Sequence, residues 1–312
     1  MDGKRILIVG RMMMKLVLNM YKLPAVGESL LDDGGVAYIP AGEGAIPAMV
    51  FSRLGADAIL AGRIGADAHG QRLYKYYKDA GINTSRIKVD REEPTALTVA
   101  MREASGEREL IYPGASARFA EDSIAEAFGA SPDALYLGLG LPWDMLITSA
   151  RIASARGVPI FVDGASAIST LPLEELPLLE IFSPNEEETR ILTGISPDNL
   201  QNSLRAALSL RKRINAKYIV IKQGERGAFI YDGKKYFVVA AAKAGKAVDP
   251  TMAGDVFTAG MTVEYLNHSD IRAAVQFGAA AAAIAVTREG MISSVPTTKE
   301  VRELMLSTGY GY

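Results

Sequence analysis

Apolar residues come along this chain in short runs that stop at a glycine or at a polar residue. Arg5 to Val9, closed by Gly10, is one such run and predicts a buried strand. Ala58 to Ala61, Ala134 to Leu137, Pro159 to Asp163, Ile181 to Ser183 and Lys217 to Lys222 repeat the pattern. Helical patterns lie between them. Ala41-Gly42-Glu43-Gly44-Ala45 opens a helix that tolerates Pro47 in its first turn. Asp67 to Ala80 predicts a second helix, ended by Gly81, and a third runs around Met145 to Arg156, with two more before Lys217. Strands alternating with helices predict an α/β fold with a mostly parallel sheet covered on both faces. Ligands in such sheets sit beyond the carboxyl ends of the strands, where Gly10, Asp163, Asn185 and Gly224 fall.

Two segments break the alternation. From Met12 to Pro40 the chain is irregular, with turn signals at Val26-Gly27 and Asp33-Gly34-Gly35 and room for short strands. Within Glu93 to Ala115, Thr95–Met101 and Glu109–Tyr112 flank a turn at Ala104-Ser105-Gly106-Glu107, which predicts a hairpin. Together the two segments predict a small sheet projecting from the main body.

Composition narrows the function. The 312 residues are 49% hydrophobic and 22% charged, enough for one large α/β domain. A net charge of -2 leaves no electrostatic footprint for nucleic acid or an anionic membrane. The absence of cysteine excludes disulfides, thiolate metal sites and cysteine nucleophiles, and two histidines make no histidine-rich metal centre. Arg11 and Lys15 interrupt the N-terminal apolar run, no small-residue cleavage site follows, and Val275 to Val286 is too short to span a bilayer. The expectation is a soluble, cytoplasmic protein.

The chemistry concentrates between Ala247 and Leu266. Asp249-Pro250-Thr251 forms a polar turn, and Val256, Phe257, Gly260, Val263 and Leu266 then recur at helical spacing, predicting an amphipathic helix that begins near Ala253. The first N–H groups of a helix have no partner inside it, and its dipole adds positive potential there. Ala253 and Gly254 are small enough to let a phosphate reach those groups. Asp255, beside them, has the chemistry to take a proton from an attacking hydroxyl. The same residues are also ordinary capping and turn chemistry, and at this point both readings stand.

Asp249-Pro250-Thr251-Met252-Ala253-Gly254-Asp255 resembles the C-terminal motif of the ribokinase-like carbohydrate kinases, the PfkB family. So do Ala41-Gly42-Glu43-Gly44-Ala45, Gly62-Arg63-Ile64-Gly65-Ala66-Asp67, Pro184-Asn185-Glu186-Glu187-Glu188 and Lys222-Gln223-Gly224-Glu225-Arg226-Gly227, in order along the chain. The resemblance implies a three-layer sandwich over residues 1–312, with a small β lid formed by about 12–40 and 93–115, and a kinase that is dimeric through the lid. It implies a catalytic group of Asp255 as general base with the amides of Met252, Ala253, Gly254 and Asp255 as an anion hole. ATP would meet Asn185, Lys222, Gly224, Gly227 and Ala279, and magnesium would sit near Asn185 and Glu188, through water. Family members often bind potassium as well, at positions matching Asp249, Thr251, Ala285, Arg288, Gly290 and Ser294. Arg11, Met13, Lys15, Gly42, Glu43, Ile46 and Trp143 stand at the expected acceptor site.

The acceptor positions depart from the family. Met13, Lys15 and Ile46 stand where ribokinase-type members carry hydroxyl-binding Asn, Asp and Asn, and Trp143 replaces an acid. Apolar residues there imply a more apolar or aromatic substrate such as a nucleoside, whereas Arg11 and Lys15 suit an acid or a phosphate. A run of methionines is equally explained by core packing at a strand end. Met252 replaces a glycine, which matters only where a positive φ is needed. Losing these groups also leaves open a non-catalytic binding protein.

Overall fold

The computed structural model describes residues 3–103 and 106–309. Ala104 and Ser105 of the expected hairpin turn lie outside the described residues. The chain opens with strands β1 (Arg5–Val9), β2 (Met13–Asn19) and β3 (Val36–Ala41), then α1 (Ala45–Arg53), β4 (Asp57–Gly65), α2 (Ala68–Asp79) and β5 (Asn83–Asp90). Strands β6 (Ala96–Glu103) and β7 (Gly106–Tyr112) follow, then α3 (Glu121–Ala127), β8 (Ala134–Gly138), α4 (Trp143–Ala155), β9 (Ile160–Asp163) and β10 (Leu179–Ser183). After α5 (Glu186–Thr193) and α6 (Leu200–Arg213) come β11 (Ala216–Lys222), β12 (Ala228–Tyr231) and β13 (Tyr236–Val239). Helices α7 (Ala253–His268), α8 (Ile271–Ala285), α9 (Met291–Ser294) and α10 (Thr298–Thr308) complete the chain.

Nine strands form the main sheet in the order β13-β12-β11-β10-β9-β8-β1-β4-β5. The pairs from β5 to β11 are parallel, and β12 and β13 add an antiparallel edge. Successive side chains of a strand face opposite sides, so a strand covered on both faces reads as an unbroken apolar run. In β1, Ile6 and Ile8 enter one core with α1, α2, α7, α8 and α10, while Leu7 and Val9 enter the other with α3 to α6. Two helical layers thus sandwich the sheet.

The second sheet has the order β3-β2-β6-β7 and comes from the two segments that broke the alternation. Met13 to Asn19 pair in parallel with Ala96 to Arg102, so the early region is more regular than its turn signals imply. Strand β5 has no counterpart among the predicted strands. It lies at the sheet edge, where burial falls only on alternate stretches and the polar residues Asn83, Ser85, Arg86 and Lys88 are tolerated.

Helix α7 corrects the amphipathic expectation, because every residue from Val256 to Tyr265 is buried. Its covering neighbour α8 approaches closely at two glycines: a Cβ on Gly278 would stand 2.5 Å from the carbonyl oxygen of Phe257. Glu264, within the buried run, is held by Arg302 of α10 at 3.0 Å. A helix enclosed all round has no polar stripe to show.

Candidate active site

The carboxyl ends of β9, β10 and β11 converge on the start of α7. Asp163, the last residue of β9, accepts a 2.6 Å bond from the ammonium of Lys222, the last residue of β11. Lys222 also donates to Thr258 of α7 at 3.2 Å, and the Thr258 hydroxyl donates to Asp163. All three side chains are buried. Burial works against the Lys222 charge, but Asp163 and Glu188 outweigh it and hold its pKa above the ordinary value.

The ammonium lies 3.8 Å from where a Cβ on Gly254 would stand, which places it under the first turn of α7. No side chain caps that helix. The Ala253 N–H bonds the Pro250 carbonyl at 3.0 Å, so this amide of the expected anion hole already has an acceptor in the turn. Met252 has φ -93° and ψ 0°, which any side chain adopts, and packs into the core at 4% exposure. Its side chain therefore costs the turn nothing. Met252→Gly is expected to lose about 2–5 kcal/mol in denaturant unfolding, as core truncations do, with no gain in activity.

Asp255 follows directly. Burial first, then the charge of Asp163, pushes its carboxyl up to about 7, with Lys222 pulling the other way and Glu188 adding to the rise. Tyr136, enclosed in the same neighbourhood, is pushed far upward by burial and by these carboxylates.

A cavity of about 510 Å³ adjoins this helix start. That volume suits a small-molecule ligand. Asn185, Lys222, Gly224, Gly227 and Ala279, the five residues expected to meet a nucleotide, all line it, together with Ala253 and Gly254. Gly227 has φ 90°, and a Cβ there would stand 2.0 Å from the Val239 carbonyl oxygen, so the wall requires glycine at this turn.

A profile of the pfkB family carbohydrate kinases matches residues 4–298. The chain belongs to the pfkB family. It is a carbohydrate kinase by that membership. It is 30% identical over 306 residues to a ribokinase of Haemophilus influenzae, covering 97% of this chain and 98% of the relative. A deoxyribokinase of Salmonella typhi is 25% identical, covering 96% and 98%. The structure of Arabidopsis thaliana ribokinase complexed with ribose and ATP superimposes with a TM-score of 0.87 at 26% identity, covering 97% of this chain and 99% of the other.

In this pfkB kinase the expected metal positions are spread more widely. Asn185 and Glu188 form a reciprocal cap at the start of α5: Glu188 N donates to Asn185 Oδ1 at 2.8 Å, and Asn185 N donates to Glu188 Oε2 at 2.6 Å. This leaves Glu188 Oε1 and a second lone pair on Asn185 Oδ1 as acceptors. Among the described residues no group of three or more acidic, histidine or cysteine side chains is arranged to hold a metal directly. The loops carrying Asp249, Thr251, Ala285, Arg288, Gly290 and Ser294 adjoin, since Val248 N and Asp249 N both donate to the Val286 carbonyl. Arg288 turns to Glu300 at 2.6 Å.

The acceptor residues bring corrections. Met12 and Met14 are core residues, and Met13 packs with Ala41 and Ala96 while accepting a hydrogen bond from Thr98 at 3.0 Å. Ile46 packs on one core and Trp143 on the other. The methionine run is packing at a strand end, while Ile46 and Trp143 are only partly buried. Arg11 and Lys15 already hold carboxylates: Arg11 meets Glu43, and Lys15 meets Glu107 at 3.1 Å and Glu109. Gly42, at φ 105°, shapes the turn that carries Glu43. Thr258 was not among the expected site residues, and Asp163 was expected only as a strand-end position with no assigned role. Asp163 carried one signal, a carboxylate ending a strand that is otherwise apolar.

Proposed function

We propose that this chain transfers the terminal phosphoryl group of ATP to a hydroxyl of a small sugar or sugar-like molecule. The carrying observation is a raised carboxyl, Asp255, at an uncapped helix start that opens onto a nucleotide-sized cavity. Asp255 takes the acceptor proton, and the amides of Met252, Gly254 and Asp255 face the charge that develops on the transferred group, with the Ala253 amide shared with the Pro250 carbonyl. The walls at Gly224, Gly227 and Ala279 hold the nucleotide. Magnesium, when bound, neutralises phosphate charge, and Asn185 and Glu188 would hold its waters. Residues 1–312 act as one kinase unit, with the second sheet as a lid that excludes water from the acceptor. The ribose and ATP of the Arabidopsis complex support this assignment of both ligands.

The test is ADP release with Mg-ATP across sugars, sugar acids, sugar phosphates and nucleosides. Turnover of nothing in that panel, with ATP still raising the melting temperature, would favour a binding protein. The base must be ionised to work. With its carboxyl near 7, kcat/KM should therefore fall about tenfold per pH unit below that value and level off above it. A profile flat from pH 5.5 to 8 would contradict the assignment.

The second sheet presents the rows Tyr38-Leu16-Val99-Leu110 and Val36-Leu18-Met101 on one face, with Leu110 68% and Val36 63% exposed. A second copy of this chain would cover them, and light scattering reads the resulting mass. Potassium would bridge the adjoining loops at 249–251 and 285–294, which exchange of potassium for sodium in the assay reads out.

A further inference from the structure

We propose that Glu43 sets the charge of the acceptor: by engaging Arg11 it reserves this end of the site for neutral polyhydroxylated compounds and turns away carboxylates. The proposal rests on the kinase reading and names its substrate class.

The pair is built into the backbone. Arg11 follows Gly10 at the carboxyl end of β1, and Glu43 lies in the turn before α1. Gly44 N donates to the Arg11 carbonyl at 3.0 Å, and a Cβ on Gly10 would stand 2.3 Å from Gly44 Cα, so the two turns are locked together. Arg11 Nε donates to Glu43 Oε2 at 2.9 Å, Nη2 donates to Oε1, and Nη2 also donates to the Gly140 carbonyl at 3.0 Å. Glycines make room for the acid. A Cβ on Gly140 would stand 2.7 Å from Glu43 Oε1, and one on Gly138 3.6 Å from Glu43 Cβ. Gly138 is in register with Asp163, which binds Lys222 beneath Gly254, so the pair stands next to the row of strand ends that carries the phosphoryl site.

The pair is open to a ligand, with side chains 20% and 13% exposed. The hydrogen bonds to Glu43 hold the Arg11 guanidinium above its ordinary pKa, so it stays charged and matched. A hydroxyl both donates and accepts, so a polyol can offer one hydroxyl to Arg11 Nη1 and donate another to the spare lone pairs of Glu43. A carboxylate accepts only, and would meet the Glu43 charge. The next cation along the chain offers no alternative: Lys15 is bound by Glu107 and Glu109. Selectivity of this kind works by repelling the wrong ligand.

The test compares wild type, Glu43→Gln and the double variant Arg11→Gln/Glu43→Gln, using D-ribose with D-ribonate and D-glucose with D-gluconate. Calorimetry with a non-hydrolysable ATP analogue present measures binding, and ADP release measures turnover. Wild type should favour the sugar of a pair at least about tenfold, and Glu43→Gln should move the acid-to-sugar ratio towards the acid by about 10–100-fold, the effect of freeing one charged, fork-shaped donor. The double variant should lose that gain. A wild type that takes acid and sugar alike, an unmoved ratio in Glu43→Gln, a gain that survives in the double variant, or no binding of either member by any form would each overturn the proposal. Loss of turnover alone speaks against the kinase reading, while the binding ratios still decide the role of Glu43.

Discussion

Asp255→Asn should lower kcat by roughly 10²–10⁴, the range a general base contributes, while the protein stays folded and binds ATP nearly as wild type does. The amide keeps the size of the carboxyl and removes only the proton acceptor. The native environment already disfavours the ionised form, through burial and then Asp163. Neutralising this position therefore relieves a repulsion, and the melting temperature should hold or rise slightly. The rate loss should appear in kcat and not in the KM for ATP, because the base acts only as the acceptor hydroxyl attacks. Two results would sink the assignment: a rate within tenfold of wild type, or a loss of rate matched by a loss of fold.

How much of this was legible in the sequence differs between the two ends of the site. Much of the proposed nucleotide wall comes from two short stretches, Lys222 to Gly227 and Ala253-Gly254, whose chemistry is local: small side chains at a turn and at a helix start. The structure brings them together around one cavity. The acceptor end depends on pairs distant in the chain. Arg11 and Glu43 looked like separate ligands, and only the locked turns at Gly10 and Gly44 show that they neutralise each other. Thr258 looked like one more helix residue, because its partner Asp163 is 95 positions away. Apolar patterning fared well for strands covered on both faces, such as β1. It failed for β5, whose edge position admits charge, and for α7, whose burial on all sides erases the polar stripe.

The Asp163–Lys222 pair carries the second large effect. Removing one member of a buried ion pair leaves the other charge without compensation, which typically costs about 3–5 kcal/mol. Lys222→Met should therefore shift the denaturation midpoint sharply, since the side chains of the pair are only 9% and 4% exposed and Asp163 would keep only neutral donors, the Thr258 hydroxyl and the Ala165 N–H. Asp163→Asn should cost less, because Lys222 retains Thr258 and lies near Asp255 and Glu188. The double variant Asp163→Asn/Lys222→Met removes both charges, and should be more stable than the sum of the single losses by roughly 1–3 kcal/mol, the coupling seen between contacting residues. Equal, additive losses would mean that the two residues pack independently. The site would still lose rate in the double variant, because a cation 3.8 Å from the Gly254 Cβ position strengthens the positive potential of the first turn of α7 where phosphate charge would collect. Stability restored without activity would thus separate what the pair does for the fold from what Lys222 does for phosphoryl transfer.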